Sequence, residues 1–187
     1  MKIGITGSIA SGKSTAAKIL TKRKYPLFSA DQEVSELYKK RLFKNVIIKK
    51  LKLKKNLNIK IQIKDMISQK KIKLNQLEKI IHPYVRKRMT YFLKINRNKK
   101  FLFLEIPLLI ESRLLRFFDI VFFVGAKKKI RLKRFIEKNG SKEMFLILDK
   151  HQQKEVDKKK SCDHVVNNNT SIQALNKKIT TIFKKYE

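Results

Sequence analysis

Short apolar runs and longer stretches with apolar residues every three or four positions take turns along this chain. The runs are KIGIT (2–6), PLFSA (26–30), FLFLEI (101–106), DIVFFV (119–124) and DHVV (163–166). Runs of this length that are apolar throughout predict strands buried on both faces, as in a parallel sheet. Helical spacing marks residues 12–23, 74–95, 130–138 and 171–185, and Ala16, Ile19 and Leu20 share one face of the first. Pro83 is expected to interrupt the 74–95 helix, because proline lacks the N–H that a helix interior needs. Strands alternating with helices predict an α/β fold on a parallel sheet.

Two regions depart from the alternation. Residues 32–100 hold no convincing strand and are too long for one crossover helix, which predicts a mostly helical insertion over one end of the sheet. Within it, KKNLNIKIQIKD (54–65) alternates apolar and polar residues, so a short strand and a Lys- and Asn-rich loop are both open. Residues 127–160 are helical in pattern and dense in lysine, and predict a mobile, polar lid. Internal repeats and Gly/Pro/Ser linkers are absent. The expected organisation is one domain: a core of 1–31, 101–126 and 161–187, an insertion of 32–100 and a lid of 127–160.

Composition narrows the setting. Hydrophobic residues make up 42% of the 187, enough for a core. The one cysteine, Cys162, cannot form an internal disulfide, which suits a reducing cytoplasm. FLFLEIPLLI (101–110) is too short to span a bilayer and carries Glu105 and Pro107, so no membrane partner is expected. Lys and Arg number 47 against 15 Asp and Glu, a net charge of +32. A nucleic-acid partner is one reading of that charge. Compositional drift is the favoured one: lysine is spread along the whole chain beside Ile, Asn and Phe, with only five glycines and three prolines. No aromatic RNA-binding motif, zinc-ligand spacing or separate basic tail is present. A cytoplasmic monomer that binds small molecules and no nucleic acid is expected.

One motif carries chemistry by its spacing. Gly7, Ser8, Ile9, Ala10, Ser11, Gly12, Lys13 and Ser14 satisfy G-x-x-x-x-G-K-[ST], and Thr15 follows. Such a loop wraps a phosphate with backbone N–H groups, glycines permit the dihedrals, and the next helix aims its positive end at the anion. Lys13 would reach the outer phosphates and the Ser14 hydroxyl would ligate Mg²⁺, so the ligand is a nucleoside triphosphate. Asp31, at the end of the second strand, has two open readings: helix N-cap, or base for an attacking hydroxyl. Glu105 ends the third strand, where a carboxylate would hold Mg²⁺ through water or meet the acceptor. Pro107 fits the first position of a helix. His82 is a turn histidine or a ligand contact, and Glu111 is a structural group or the partner of a nearby base.

Several segments in order resemble the dephospho-CoA kinase family over nearly the whole length. GSIASGKST is similar to its G-G-I-x-S-G-K-[ST] loop, LFSAD (27–31) to its D-A-D segment and IIHPYV (80–85) to its L-H-P segment. LEIPLLIES (104–112) is similar to D-x-P-L-L-[FY]-E, LKRFIEKNG (132–140) to the lid, and CDHVVNNN (162–169) to A-D-x-V-I-D-N. The resemblance implies a P-loop fold of nucleoside-monophosphate-kinase type: a five-stranded parallel sheet flanked by helices, with a helical CoA-binding insertion and a lid. It implies transfer from ATP, with Mg²⁺, to the ribose 3′-hydroxyl of dephospho-CoA. Asp31 would then be the base, and Lys13 with the loop residues would hold ATP. Arg134 and Lys138 would act from the lid, and Asn168 would lie near the adenine. His82, Pro83, Pro107 and Leu108 would contact the acceptor, with Ser14 and Glu105 at the metal.

The departures are specific. Ser8, Ser29, Glu105, Lys138 and Asn167 stand where the family pattern has Gly, Asp, Asp, Arg and Asp, and LILDKHQQ (146–153) lacks a lid arginine. They imply a weakened but working enzyme. The alternatives are another small-molecule P-loop kinase, a basic nucleic-acid-binding NTPase-like protein, and a loop that binds ATP without transferring it.

Overall fold

The computed structural model describes residues 1–22 and 24–187. Contacts divide them into two units, Met1–Ser29 with Ile95–Glu187, and Ala30–Lys94.

The first unit is built on a five-stranded, wholly parallel sheet in the order β2-β3-β1-β4-β5. The strands are β1 (Lys2–Gly7), β2 (Leu27–Ser29), β3 (Leu102–Glu105), β4 (Ile120–Gly125) and β5 (His164–Asn167). All five expected runs are strands, within a residue or two of their expected ends. The central β1 is paired on both edges, with Ile3 opposite Phe103 and Ile120. That explains why KIGIT carries no alternation: both faces are covered. Helices α1 (Lys13–Thr21) and α9 (Ile172–Phe183) pack on one face. Ile3, Ile5, Leu20, Phe103, Ile179 and Phe183 fill that layer and are almost wholly buried. Each such side chain stabilises the fold by about 1.5–3 kcal/mol relative to exposure.

Residues 107–113, after β3, form consecutive turns, followed by a short 3-10 helix (Leu115–Phe117). No helix starts at Pro107, contrary to expectation. Its carbonyl instead accepts from Thr6 Oγ1 (3.1 Å) and Lys158 Nζ (3.2 Å), which ties the turn to β1 and to the later helices. Those helices are α6 (Lys128–Ile136), α7 (Lys142–His151) and α8 (Glu155–Lys160). They are less uniformly polar than their lysine content predicts, since Met144, Phe145, Arg131 and Lys158 are buried.

The second unit is helical: α2 (Ala30–Leu37), α3 (Arg41–Leu51), α4 (Ile59–Ser68) and α5 (Leu74–Ile95), the last closing at the unit boundary. Phe43, Ile47, Ile63, Ile67, Ile80 and Met89 are its core. Phe43 is edge-on to Tyr38 and Tyr84, at 5.5 and 5.1 Å between centroids. Two expectations fail here. Residues 59–65 are neither strand nor loop but the start of α4, because Asn58 Oδ1 accepts the N–H groups of Lys60 and Ile61 and caps a helix whose buried residues are Ile63 and Ile67. Pro83 does not break α5. It is exposed, as is Lys79, whose carbonyl loses its helical donor, while Ile80, Ile81 and Met89 are buried. No helix of the described residues is long and apolar enough to cross a membrane.

Candidate active site

The loop from Gly7 to Gly12 joins the central strand to α1. Two of its glycines are there for backbone reasons. Gly7 has φ 151° and a Cβ would strike the carbonyl of Val124; Gly12 has φ 95° and a Cβ would strike Asn168 Nδ2. Ser8, in place of a glycine, avoids a left-handed conformation; Ala10 takes one instead, with φ 56°. Gly12 offers α1 no side-chain cap and the first turn has no acidic residue. A helix start left this way presents N–H groups and a positive end to an anion. Ser11 Oγ is buried with no hydrogen-bond partner among the described residues. The loop therefore has the chemistry to hold a polyphosphate.

Two residues at the head of α1 complete that chemistry. Lys13, which is buried, donates from Nζ to the Ser8 carbonyl at 2.9 Å, so its ammonium lies across the loop. Ser14 Oγ donates to Glu105 Oε1 at 2.6 Å. Glu105 is 3% exposed and ends β3, the strand beside β1. A hydroxyl and a carboxylate at this spacing are hard oxygen donors suited to Mg²⁺. Among the described residues no group of three His, Cys, Asp or Glu could hold a metal ion. Mg²⁺ fits this pair only as it commonly binds, with phosphate oxygens and water supplying the rest.

The later helices converge on the same loop. Asn168, just past β5, donates from Nδ2 to the Ser11 carbonyl at 2.9 Å, and Arg134 Nη1 donates to the same carbonyl at 3.4 Å. Both residues thus lie at the loop, Asn168 as a brace of its backbone. Lys138 is exposed beyond α6 and makes no side-chain contact with the loop among the described residues. Pattern reading missed several contributors. Arg131 Nη1 donates to the Ile9 carbonyl (3.4 Å) and to Asp149 Oδ1 (2.6 Å). Burial pushes the Asp149 carboxyl up, but hydrogen bonds from Arg131 and Lys128 outweigh it and hold the group below its ordinary range. Gln152 Oε1 accepts from the Ile9 N–H at 2.9 Å, and Glu155 Oε2 from Ser8 Oγ at 3.0 Å. Their only signal in the chain is position, on a helical stretch dense in lysine. Glu111 is the partner of a base: Lys158 Nζ lies 2.9 Å from its Oε1. Burial raises the Cys162 thiol to about 11, which leaves it inert near neutrality.

The remaining expected residues belong to the helical unit or the β3 turn. Asp31 lies inside the first turn of α2, which begins at Ala30, so it favours the helix dipole rather than capping the end. It is exposed, two residues beyond the end of β2. His82 and Pro83 are successive residues of α5. Leu108 is half-buried in the turn after Pro107.

A family model described as dephospho-CoA kinase matches residues 1–174. The chain belongs to the dephospho-CoA kinase family. It is 33% identical over 195 residues to a dephospho-CoA kinase of Rickettsia typhi, covering 100% of this chain and 98% of that one. It is 32% identical over 186 residues to a dephospho-CoA kinase of Fusobacterium nucleatum, covering 96% and 95%. The crystal structure of TT1252 from Thermus thermophilus has the same fold, with a TM-score of 0.70, 28% identity, and 99% and 97% of the two chains covered. In this dephospho-CoA kinase family member the loop, Lys13 and the Ser14–Glu105 pair lie together at the head of α1.

Proposed function

We propose that this protein transfers the γ-phosphoryl group of ATP to the ribose 3′-hydroxyl of dephospho-CoA, giving coenzyme A and ADP in the last step of coenzyme A biosynthesis. The observation that carries the reading is the dephospho-CoA kinase match over residues 1–174, on a chain whose phosphate loop keeps Lys13 and Ser14 in place.

In this reading Lys13 and the loop amides neutralise the outer phosphates of ATP. Arg134 moves from the Ser11 carbonyl, 3.4 Å away, to the phosphates as charge develops there. Ser14 and Glu105 hold Mg²⁺, which when bound screens the charge on the phosphates. Residues 127–160 act as the lid and keep water from the γ-phosphate. Asp31 takes or orients the proton of the 3′-hydroxyl, with no metal or covalent step of its own. Most of the rate then comes from positioning and charge neutralisation.

The test supplies ATP, Mg²⁺ and dephospho-CoA and detects coenzyme A by mass, with adenosine, AMP and shikimate as competing acceptors. Coenzyme A forms, and Lys13→Ala abolishes it. Asp31→Asn keeps ATP affinity and loses about 10²–10⁴ in turnover, the usual contribution of a general base. Product from another acceptor alone would overturn the substrate assignment. An Asp31→Asn enzyme working at the parent rate would overturn the base.

A further inference from the structure

One peptide unit of the phosphate loop is held from both sides. The Ser8 carbonyl accepts from Lys13 Nζ at 2.9 Å, and the Ile9 N–H of the same peptide donates to Gln152 Oε1 at 2.9 Å. The peptide is trans and planar, so its carbonyl and its N–H point in opposite directions. Holding the N–H therefore sets the direction of the carbonyl, and with it the place where the Lys13 ammonium rests. Ser8 is fixed in a third way: its hydroxyl donates to Glu155 Oε2 at 3.0 Å, and the residue is 5% exposed. Serine stands here where the family pattern has glycine, so the hydroxyl contact is a property of this chain. A glycine would follow Gly7 directly, and two successive glycines have more backbone freedom to lose.

Both acceptors come from one short link. Gln152 follows the last residue of α7, and Glu155 is the first of α8. Glu155 Oε1 lies 2.7 Å from Lys159 Nζ, one turn further along α8. The same oxygen lies 3.0 Å from where a Cβ on Gly125 would stand, so the bare end of β4 leaves the carboxylate its room. Lys159 also offsets a negative charge that would otherwise oppose a polyphosphate. Gln152 brings no charge at all. A neutral amide and a neutralised carboxylate can thus brace an anion-binding loop without repelling the anion.

We propose that Gln152 and Glu155 are positioning residues for ATP, which act through the Ser8–Ile9 peptide to hold Lys13 ready for the phosphates. The proposal rests on ATP being the ligand of the loop. Neither residue needs to touch the nucleotide. Their effect is preorganisation: an ammonium already in place leaves less to be ordered when ATP binds. Without them the Ser8 carbonyl is free to turn, and each binding event must first restore it. Glu155 works through the Ser8 hydroxyl and is silent without it. Gln152 works through the backbone and does not depend on the side chain at position 8. At saturating ATP the bound phosphates draw Lys13 back into place, so affinity changes more than turnover.

The experiment titrates ATP with Mg²⁺ into the parent, Ser8→Gly, Glu155→Ala, Gln152→Ala, Glu155→Gln and Ser8→Gly/Glu155→Ala, and measures kcat, both KM values and melting temperature. Each of the first three variants should weaken ATP binding about five- to tenfold, the effect of one hydrogen bond of ordinary strength. Their KM for dephospho-CoA and their melting temperatures stay near parent values. The double variant is no weaker than Ser8→Gly alone, because the two residues act as one unit. Glu155→Gln, whose amide can still bond the Ser8 hydroxyl, recovers ATP affinity to within about threefold of the parent. Unchanged or tighter ATP binding in Glu155→Ala and Gln152→Ala overturns the proposal. So does a double variant whose losses add, or a Glu155→Gln variant as weak as Glu155→Ala. Equal losses in ATP affinity, KM for dephospho-CoA and melting temperature would mark a merely structural role and also overturn it. A parent that binds no ATP overturns the reading of the loop instead, so the two failures read differently.

Discussion

Lys158→Met removes a charge from the most buried ion pair among the described residues. Lys158 has no exposed surface, and its Nζ donates to Glu111 Oε1 at 2.9 Å and to the Pro107 carbonyl at 3.2 Å. Methionine keeps much of the stem's packing but brings no donor. Among the described residues Glu111 is then left with one donor, the Gln153 N–H at 3.2 Å, and its Oε2 is already buried without a partner. Removing one member of a buried pair costs about 3–5 kcal/mol, because the other charge stays desolvated. The Glu111 side chain keeps 16% exposure, which puts the expected loss at the low end, about 3 kcal/mol. For a chain of this size that is about 6–12 °C in melting temperature. Thermal and urea unfolding of the ligand-free protein measure it. Lys158→Met/Glu111→Leu replaces the pair with apolar groups and should recover at least half of the loss. A loss below about 1 kcal/mol, or a double variant no better than the single, would refute the claim that charge desolvation sets the cost.

Two further predictions concern the loop and its brace. Because Asp149 titrates below the ordinary carboxylate range when folded, its contribution is complete above about pH 4 and disappears as pH falls through the lower folded value. Urea unfolding from pH 7 to 3 should show Asp149→Asn less stable at pH 7 and losing less than the parent on acidification; parallel curves would count against the Arg131–Asp149 pair. Gly12→Ala should lower ATP affinity about 5–30-fold, since the residue needs φ 95° and meets Asn168, and adding Asn168→Ala should not restore it because the backbone strain remains. Isothermal titration with ATP decides it, and near-parent binding by the double variant would show that only the clash mattered.

The strands and the phosphate loop were legible because their information is local. KIGIT and DIVFFV are apolar at consecutive positions, and G-x-x-x-x-G-K-S encodes a backbone shape. The helix at 59–68 was not, because IKIQI alternates like a strand and the capping role of Asn58 depends on a helix already being there. Pro83 misled for a similar reason: the penalty of a lost hydrogen bond is local, whereas the buried face that offsets it comes from other helices. The lysine-dense segment hid Arg131 and Lys158, whose partners Ile9 and Glu111 are 122 and 47 residues away. A charge pattern alone does not separate a cation in water from one in a buried pair. Asp31 was half legible. The carboxylate stood out by its place after a strand, while its position inside the first turn of α2 was not legible, because the helix start at Ala30 carries no local signal of its own.

The sheet order has a consequence for synthesis. β1 is the central strand, yet its neighbours begin at Leu102 and Ile120. At about 5–20 residues per second, the ribosome needs roughly 5–20 s to make the intervening hundred residues. Throughout that interval Ile3 and Ile5 have no partner strand, while the helices of residues 30–94, whose contacts are nearer in sequence, can already condense. The nascent chain thus carries its future centre as an unpaired apolar strand, open to chaperones and to other nascent chains. Substitutions that slow the docking of β3 should therefore lower the yield of folded protein in cells before they change the stability of the finished molecule.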